Sequence, residues 1–388
     1  MTNTAFVLGA GRMGIVAARD LAESNLLGNI VLGDIETSAA ERLREELGPD
    51  RIKVVKVDAT NPRDLARAIR DSQVLINAIW YEHNVEVMKT AIEMKVHYND
   101  LGGLFHVTRQ QMALNDAARR AGVTAVLGGG ASPGITNVMC ATSAQHLDSV
   151  QEMRIRVGAK QGPSEEPDKL VFPFAVSTIL DEYSKKPVMY LDGHFEEVEP
   201  LSGEEEVEFL PPIGKNICHY SIHSETATLP LSFKGVSLVD FKLGVSEKIL
   251  KAIKPLVEGG MCNNFPIDVR GQKISPRDFA IAYLTSRASK EEPLRYIGLR
   301  TAVTGLKNGR RVCQIREIVG EPSSELGVRN ATGLLTGIGA SIIAQLILAG
   351  QIVKKGVVAP EVCVPTDPFM RELERRKIRT TVKDLKLG

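Results

Sequence analysis

Apolar residues in the first 130 positions form short runs that alternate with segments of helical spacing. The runs predict buried strands at about 4–8, 30–34, 53–57, 73–77, 96–99 and 123–127. Strands that alternate with helices produce a parallel sheet with right-handed crossover connections. The carboxyl ends of such strands form a ligand crevice. Residues 1–131 are therefore predicted to form one α/β domain with a binding site along that edge.

The pattern changes at residues 128–134, which hold four glycines and one proline. Such a stretch marks a domain junction or a loop held close to a ligand. Strands then predominate, at about 151–158, 187–191, 205–210, 217–225, 236–243, 295–305 and 311–319, with helices at 136–147, 173–183, 246–253 and 275–287. Lys307-Asn-Gly-Arg310 predicts a two-residue hairpin between the last two strands. Residues 132–326 are therefore predicted to form a second, α+β domain that binds the substrate.

Residues 331–349 contain no charged side chain, and these 19 residues approach the length that spans a bilayer. Small and polar residues recur on one helical face, at Gly333, Gly337, Ser341 and Gln345. Such a face allows close packing either in a bilayer or in a protein core. Because no aromatic belt flanks the run, we expect a buried helix. The segment 327–388 is predicted to pack back on the first domain.

The first strand leads into Gly9, Gly11 and Gly14, which have the spacing G-x-G-x-x-G. In a dinucleotide-binding unit the first glycine permits a tight turn, the second lets the pyrophosphate approach, and the third lets the helix pack on the strand. The helix that follows directs its N–H groups at the phosphates, so Arg12 and Met13 are also predicted cofactor contacts. This fingerprint predicts a Rossmann-type sheet. The alternative is a glycine turn in an unrelated α/β protein.

An acidic residue, Asp34, ends the second strand 25 residues after Gly9. Its carboxylate is placed to accept hydrogen bonds from the ribose and to repel a 2′-phosphate, which predicts NAD as the cofactor. The alternative is that Asp34 caps the helix that begins near Thr37. Residues at the ends of the next strands are further predicted cofactor contacts, with Asp58 near the adenine and Asn77 and Ala78 over the pyrophosphate and nicotinamide.

Charges nearly cancel, with 48 Lys and Arg against 47 Asp and Glu, so nothing indicates binding of nucleic acid. The five cysteines lie far apart without a C-x-x-C pair, which argues against a zinc ribbon and a disulfide framework. No metal site is expected. The N-terminus enters the first strand without a basic and apolar leader. We expect a cytoplasmic protein with a small-molecule partner, and a homodimer as its assembly.

Several further motifs follow the glycine fingerprint in a characteristic order. They are His97-Tyr98-Asn99-Asp100-Leu101-Gly102-Gly103, Gly130-Ala-Ser-Pro-Gly-Ile-Thr-Asn137, Thr178-Ile-Leu-Asp-Glu-Tyr183 and His223-Ser-Glu225. With these motifs the chain resembles the saccharopine dehydrogenase-like family over nearly its whole length, and within it the lysine 6-dehydrogenases. One departure is Ile79-Trp80-Tyr81, where a proline is expected soon after the preceding Asn-Ala.

The resemblance implies NAD-dependent oxidation of L-lysine at the carbon that bears the side-chain amine. The imine hydrolyses to a semialdehyde, which cyclises, and ammonia is released. Family members also make or break secondary amines such as saccharopine, and this is the first alternative. The second alternative is a nucleotide-binding regulator without catalysis. The bulk of Trp80 near the nicotinamide leaves the substrate open, though not the type of reaction.

Asp100 follows the fifth strand, so its carboxylate is expected at the nicotinamide end of the crevice. An amine must lose a proton before hydride leaves, and a carboxylate there can accept that proton or stabilise the iminium cation. The alternative is that Asp100 caps the next helix or ties the Gly102-Gly103 turn. Tyr98 lies two residues earlier on the same side of the strand, where it either orients Asp100 or belongs to the core.

The stretch from His219 to Glu225 alternates, so a strand there would place His219, Ser221, His223 and Glu225 on one face. That face is either solvated surface or part of the substrate site. The resemblance also falls on His223 and Glu225, which makes them predicted catalytic residues, with Glu225 holding the cationic amine and His223 moving protons. Four arginines are candidates for binding a substrate α-carboxylate: Arg154, Arg156, Arg287 and Arg300.

Overall fold

The computed structural model describes residues 3–48 and 50–387. The strands are β1 (Asn3–Leu8), β2 (Leu27–Asp34), β3 (Ile52–Lys56), β4 (Val74–Asn77), β5 (His97–Asp100), β6 (Thr124–Val126), β7 (Ser149–Gln161), β8 (Val188–Leu191), β9 (His194–Glu197), β10 (Glu205–Phe209), β11 (Gly214–Tyr220), β12 (Leu238–Leu243), β13 (Ile267–Val269), β14 (Gln272–Ile274), β15 (Arg295–Lys307), β16 (Arg310–Gly320), β17 (Gly356–Val358) and β18 (Thr380–Lys386).

The helices are α1 (Arg12–Ala22), α2 (Ser38–Leu47), α3 (Pro62–Ile69), α4 (Asn84–Glu93), α5 (Leu104–Met112), α6 (Asn115–Ala121), α7 (Ile135–Ala144), α8 (Val176–Ser184), α9 (Glu225–Ser232), α10 (Glu247–Glu258), α11 (Pro276–Ser286), α12 (Ala331–Leu348), α13 (Pro360–Cys363) and α14 (Thr366–Arg375). A short 3-10 helix, Tyr81–His83, precedes α4.

The first sheet is parallel and has seven strands in the order β17-β6-β5-β4-β1-β2-β3. The six predicted strands of residues 1–131 are all present, and the Rossmann-type fold is confirmed. Chain order reverses between β1 and β4, because β1 pairs with both β2 and β4. Ligands of open α/β sheets bind outside the strand ends at such a reversal. The fold therefore places a crevice beside the glycine fingerprint.

Helix α12 is long and apolar enough to cross a membrane, but 89% of it is buried inside the protein. Glycines let it lie against neighbouring backbone. A Cβ atom on Gly337 would be 2.6 Å from the carbonyl oxygen of Met13 in α1, and one on Gly339 would be 2.6 Å from that of Gly130. The small-residue stripe therefore serves close packing within the protein, as expected for a buried helix.

The second sheet is mixed, with a main path in the order β10-β11-β12-β7-β15-β16-β18; β8 pairs with β12, and β9 pairs with β8. The predicted second α+β domain is confirmed as a fold class. The hairpin between β15 and β16 turns at Asn308 and Gly309, which both have positive φ. A two-residue turn of this kind matches the twist of the paired strands. Met153, Ile155 and Leu299 direct one face of this sheet into the core.

The prediction of one strand over 217–225 is wrong, because β11 ends at Tyr220 and α9 begins at Glu225. Strand β11 pairs with β12 only through His219 and Tyr220. Further along the same edge of β12, β8 pairs with Leu238 and Val239. The chain after Tyr220 leaves the sheet, since that edge of β12 is already occupied. His223 and Glu225 therefore do not belong to a strand face.

Residues beyond 326 contribute to both sheets. Strand β17 extends the parallel sheet through β6, and β18 extends the mixed sheet through β16. Arg376, after α14, donates to Asp20 of α1 at 2.6 and 2.9 Å. Residues beyond 326 therefore connect the two sheets. The predicted domain boundaries at 131/132 and 326/327 stay predictions.

Candidate active site

The glycine loop after β1 has the backbone shape that a dinucleotide needs. Gly9 has a φ of +103°, and a Cβ atom there would lie 2.9 Å from the carbonyl of Ala78. A Cβ atom on Gly14 would lie 1.8 Å from the carbonyl oxygen of Gly9. A Cβ atom on Gly11, the N-cap of α1, would meet nothing within 4 Å. That open space at a helix N-terminus fits the pyrophosphate of a nicotinamide dinucleotide.

Two acids mark the side of the crevice where the adenosine half is predicted. Oδ2 of Asp34 accepts a hydrogen bond from the backbone nitrogen of Ala10 at 2.6 Å, so the carboxylate is held against the fingerprint loop. Its Oδ1 accepts from the nitrogen of Glu36 at 2.9 Å. Asp58 accepts two hydrogen bonds from Thr60, and these lower the pKa of its carboxyl. The adenosine contacts of both acids stay predictions.

Arg12 and Met13, two further predicted cofactor contacts, make interdomain and interhelical contacts. Nη1 of Arg12 donates to the carbonyl of Phe172 at 3.2 Å, and its Nε lies 2.9 Å from Glu292. The carbonyl of Met13 faces Gly337 of α12. The start of α1 therefore connects the fingerprint to the second domain, and the charge of Arg12 already has a carboxylate partner.

At the end of β4, Asn77 and Ala78 lie beside the fingerprint, and their contacts with the cofactor stay predictions. Nδ2 of Asn77 donates to Asn84 at 2.9 Å and to the Tyr98 hydroxyl at 3.1 Å, and the nitrogen of Ala78 donates to Leu8 at 2.7 Å. Tyr98 is fully buried in the core of the first domain. The burial of its ring corresponds to the alternative that Tyr98 belongs to the core, and a catalytic role for Tyr98 stays a prediction.

The expectation that Asp100 faces the crevice is corrected, because its side chain is 0% exposed. Oδ1 accepts from the backbone nitrogens of Gly102 at 2.9 Å and Gly128 at 2.7 Å, and Oδ2 accepts from Gln111 at 2.6 Å. Burial raises the pKa of this carboxyl, and the three hydrogen bonds oppose the rise. Asp100 ties together the loops after β5 and β6, which corresponds to the structural alternative.

His223 lies between two carboxylates. Its Nδ1 contacts Oε2 of Glu225, and its Nε2 lies 4.0 Å from Oε1 of Glu182 in α8. The imidazole stacks on Phe241, with 3.9 Å between ring centroids. His223 is 7% exposed, Glu182 4% and Glu225 0%, and Oε2 of Glu182 has no hydrogen-bond partner. This buried carboxylate–imidazole–carboxylate array is suited to holding and moving a proton.

The three groups of this array differ in their preferred charge. Burial raises the pKa of Glu225, but His223, Ser132 and Thr136 outweigh it and lower the pKa below the usual value. Burial lowers the pKa of His223, but the two carboxylates outweigh it and raise the pKa. Burial raises the pKa of Glu182 to about 8, and the charge of His223 opposes that rise. Glu225 and His223 therefore form an ion pair, and Glu182 can exchange a proton near neutral pH.

Contacts with the segments that follow β5 and β6 place this array at the ends of those strands. Ser132 and Thr136 both donate to Oε1 of Glu225, the latter at 2.8 Å. The backbone nitrogen of Gly103 donates to Ser224 at 3.2 Å. The segment 223–225 therefore sits over the loops that follow two central strands of the parallel sheet, on the β4 side of the topological reversal, where the nicotinamide half is predicted to lie.

A second interdomain cluster surrounds Asp181, the residue before Glu182. Tyr81, which follows β4, donates to Asp181 at 2.6 Å. Arg277 of α11 donates to both carboxylate oxygens at 2.8 to 3.0 Å, and Lys185 lies 3.5 Å away. The guanidinium of Arg277 also lies 5.7 Å over the ring of Trp80. These contacts hold α8 against the end of β4.

Two models of known protein families match the chain and together span most of it. The first, described as the saccharopine dehydrogenase NADP binding domain, matches residues 5–126. The second, described as the saccharopine dehydrogenase C-terminal domain, matches residues 130–378. The chain belongs to the saccharopine dehydrogenase family. The resemblance to this family is confirmed, whereas the narrower resemblance to lysine 6-dehydrogenases stays a prediction. The chain is an oxidoreductase of the family with an NAD(P)-binding domain.

Two relatives of known activity match nearly the whole chain at low sequence identity. The carboxyaminopropylagmatine dehydrogenase of Synechocystis sp. is 25% identical over 387 residues, covering 95% of this chain and 94% of its own. The carboxynorspermidine synthase of Vibrio cholerae is 24% identical, covering 98% and 97%. Yeast saccharopine dehydrogenase (L-Glu forming) superposes with a TM-score of 0.76 at 17% identity, covering 99% of this chain and 100% of its own. Homospermidine synthase from Legionella pneumophila, in complex with NAD, gives 0.67 at 12% identity, covering 99% and 92%. These two structures show the fold.

The four arginines predicted for a substrate carboxylate do not meet at the site of this family member. Arg156 pairs with Asp240 at 2.7 Å, and Arg154 pairs with Glu152 at 3.0 Å. The other two are Arg300, which lies 3.6 Å from Glu317, and Arg287, which is exposed at the end of α11. The first three already have carboxylate partners, so only Arg287 stays a prediction for binding a substrate carboxylate.

The sequence reasoning missed Asp181, Glu182 and Arg277. The sequence does contain a signal for the two acids. Asp181 and Glu182 are adjacent and interrupt an otherwise apolar stretch, Ile179-Leu-Asp-Glu-Tyr183, within a motif that carries the family resemblance. Buried acids in a helix need partners, so such a pair indicates a charge network or a functional site.

A large surface groove of about 1190 Å³ lies elsewhere, at the end of α1 remote from the fingerprint. It is bordered by α12 and the C-terminal segment, including Asp20, Gln345 and Arg376. None of the residues predicted for catalysis or cofactor binding lines it. The groove is therefore separate from the array around His223.

Proposed function

We propose that this chain is a nicotinamide-dependent dehydrogenase of an amino-acid-derived amine, and that its leading substrate is L-lysine, oxidised at C6 with NAD. The observation that carries the proposal is the Glu182–His223–Glu225 array over the ends of β5 and β6. The lysine assignment is supported by the motif resemblance. The fingerprint glycines and Asp34 would hold the cofactor, which supplies the hydride acceptor at the site.

The side chains of the array have distinct proposed roles. A substrate ammonium group, R–CH2–NH3⁺, must release a proton before the adjacent carbon gives up hydride. Glu182 in its ionised form accepts that proton, and the positively charged imidazole of His223, 4.0 Å away, stabilises the ionised carboxylate. Glu225 keeps His223 oriented and charged through its contact with Nδ1. Hydride loss leaves R–CH=NH2⁺, which water converts to an aldehyde and ammonia.

A secondary amine that carries a carboxylate is the second candidate substrate. The names of the curated relatives, carboxyaminopropylagmatine dehydrogenase and carboxynorspermidine synthase, support it. The same array serves this chemistry, because proton removal and hydride loss occur at the same kind of C–N bond. Hydrolysis of the iminium then releases an amine instead of ammonia.

A substrate panel tests the proposal. Purified protein is supplied with L-lysine, L-ornithine, saccharopine, carboxynorspermidine and cadaverine, each with NAD and with NADP, and reduced cofactor is followed by absorbance. The lysine assignment predicts the highest specificity constant for L-lysine with NAD, together with ammonia release. A higher value for saccharopine or carboxynorspermidine would favour the second candidate. If no amine is turned over while cofactor still binds, the chain is a nucleotide-binding regulator.

A further inference from the structure

Arg295, the first residue of β15, is a buried cation without a counter-charge. Its side chain is 4% exposed, and its Nε has no hydrogen-bond acceptor. Within residues 3–48 and 50–387, no carboxylate lies within ion-pair distance of it. The buried Arg156 and Arg277, in contrast, each have a carboxylate at 2.7 or 2.8 Å. A buried charge is costly unless it is paired, so Arg295 is expected to meet an anion that the chain itself does not provide.

The surroundings of Arg295 add further positive potential. Its backbone pairs with Asn330, whose Oδ1 accepts from the nitrogen of Thr332 at 3.0 Å and so caps α12. Oγ1 of Thr332, on the first turn of this 18-residue helix, is buried and has no partner. Helix N-termini carry partial positive charge and exposed N–H groups, which favour bound anions.

The N-terminus of α1 and the N-terminus of α12 contact the same short segment, residues 172–173. Nδ2 of Asn330 donates to the carbonyl of Pro173 at 2.9 Å, and Arg12 donates to the preceding carbonyl, that of Phe172, at 3.2 Å. Burial, together with the positive charge of Arg12, lowers the pKa of Arg295 to about 10. Arg295 stays protonated at neutral pH. Arg12 has Glu292 as its carboxylate partner. Of the two arginines, Arg295 is therefore the one whose positive charge is not compensated.

We propose that Arg295 and the N-terminus of α12 form an anion-binding subsite for a carboxylate or phosphate group. Two ligands of the proposed function carry such a group, the carboxylate of the amino-acid substrate and the pyrophosphate of the dinucleotide. If the anion is the substrate carboxylate, Arg295 takes the role for which the sequence offered Arg154, Arg156, Arg287 and Arg300 as candidates. The substrate arm of this inference rests on the proposed function, whereas direct anion binding does not.

The test compares Arg295→Gln with Arg329→Gln, a control that removes an exposed arginine from the adjoining loop. Thermal denaturation is measured without ligand, with inorganic pyrophosphate and with 6-aminohexanoate, a lysine-length carboxylate. Removing an uncompensated buried charge should raise the melting temperature of the ligand-free protein and abolish the shift given by one of the two anions. A purely structural arginine would instead lower the melting temperature and leave both shifts intact, which would overturn the proposal.

Affinities then identify the source of the anion. If it is the substrate carboxylate, Arg295→Gln should raise the KM for lysine about 10- to 100-fold, leave NADH affinity unchanged, and remove the preference for lysine over cadaverine. If it is the pyrophosphate, the Kd for NADH should rise by a similar factor. Values within twofold of the parent for both ligands would refute the subsite. If the parent turns over no amine, the proposed function fails, but the anion-dependent melting shifts still decide the role of Arg295.

Discussion

Nε2 of His223 lies 4.0 Å from Oε1 of Glu182, although 41 residues separate them in the chain. The contact joins α8 to the segment before α9. Glu225 holds the other nitrogen of the same ring. Of the two carboxylates, Glu182 is the one with an unpartnered oxygen, so it is the group able to receive a proton from a substrate.

The first prediction concerns the pH dependence of amine oxidation. Glu182 has a pKa of about 8, so it is mostly protonated at pH 7 and becomes a proton acceptor as the pH rises. The kcat for amine oxidation should therefore increase through pH 8 and level off above it. Glu182→Gln should lower kcat about 100-fold and remove this rise. Glu317→Gln is the matched control, because Glu317 is also a buried carboxyl with a raised pKa but lies in the second sheet.

The same group should affect stability with a defined sign. Between its ordinary pKa of 4.5 and about 8, Glu182 keeps a proton in the folded protein that the unfolded chain releases. The contribution of Glu182 therefore makes the free energy of unfolding fall as pH rises through this window, by at most about 1.4 kcal/mol per pH unit. Urea denaturation at several pH values gives the free energy of unfolding of the parent and of Glu182→Gln. The difference between the two free energies at each pH is the contribution of Glu182. A parent and variant with parallel pH profiles would mean that Glu182 is ionised throughout.

The second prediction revises the expected role of Glu225. The sequence suggested that it holds the substrate amine, but it is fully buried and engaged by His223, Ser132 and Thr136. Glu225→Gln should therefore lower kcat about 100-fold, with a KM for the amine that changes little, because His223 loses its orienting charge. A KM raised 10-fold with kcat preserved would instead favour direct contact between Glu225 and the amine.

The third prediction tests Asp100 as a structural residue. Asp100→Ala leaves the N–H groups of Gly102 and Gly128 and the amide of Gln111 without their acceptor, which should reduce the free energy of unfolding by about 3 kcal/mol. Asp100→Asn should cost less, about 1 kcal/mol, because one acceptor oxygen remains. Urea denaturation measures both. Full stability of the alanine variant, together with complete loss of turnover, would restore a catalytic role.

The fourth prediction separates two glycines of the fingerprint. Gly11→Ala adds a Cβ atom where no neighbour lies within 4 Å, so melting should be unchanged while NADH binding is lost through a clash with the pyrophosphate. Gly14→Ala adds a Cβ atom 1.8 Å from the carbonyl oxygen of Gly9, so the fold itself should be destabilised. Melting curves and NADH titration measure the two effects. Normal NADH affinity in Gly11→Ala would mean that the cofactor does not cross this loop.

The fifth prediction is the preference for NAD. Asp34 lies at the end of β2, tied to the fingerprint by its bond to Ala10, so a 2′-phosphate beside it would meet a like charge. The specificity constant should be higher with NAD than with NADP, and Asp34→Asn should narrow the difference. A parent enzyme that prefers NADP would show that a cation nearby, such as Arg42 or Arg44, overrides Asp34.

Local patterns in the sequence determined much of the fold. The Gly9-to-Gly14 spacing, the alternation of apolar runs with helical segments, and the Asn308-Gly309 turn each depend on neighbouring residues, so they were readable without a structure. The end of β11 was not readable. Residues 219–225 alternate like a strand. The point at which β11 ends depends instead on β8, which occupies the same edge of β12 further along. That contact joins segments that are distant in sequence.

The sequence by itself thus established the parallel sheet, its glycine loop and the family to which the motifs point. Only the tertiary structure decided which polar residues face a site and which are enclosed. Asp100 and Tyr98 follow the strand periodicity as predicted, yet packing of the loops after β5 and β6 buries them. The roles proposed for Glu182 and Arg295 depend on neighbours that are distant in sequence, because Glu182 lies near His223 and the Nε of Arg295 has no hydrogen-bond acceptor. Charge compensation in a buried site is a property of three-dimensional neighbours, and sequence spacing does not encode it.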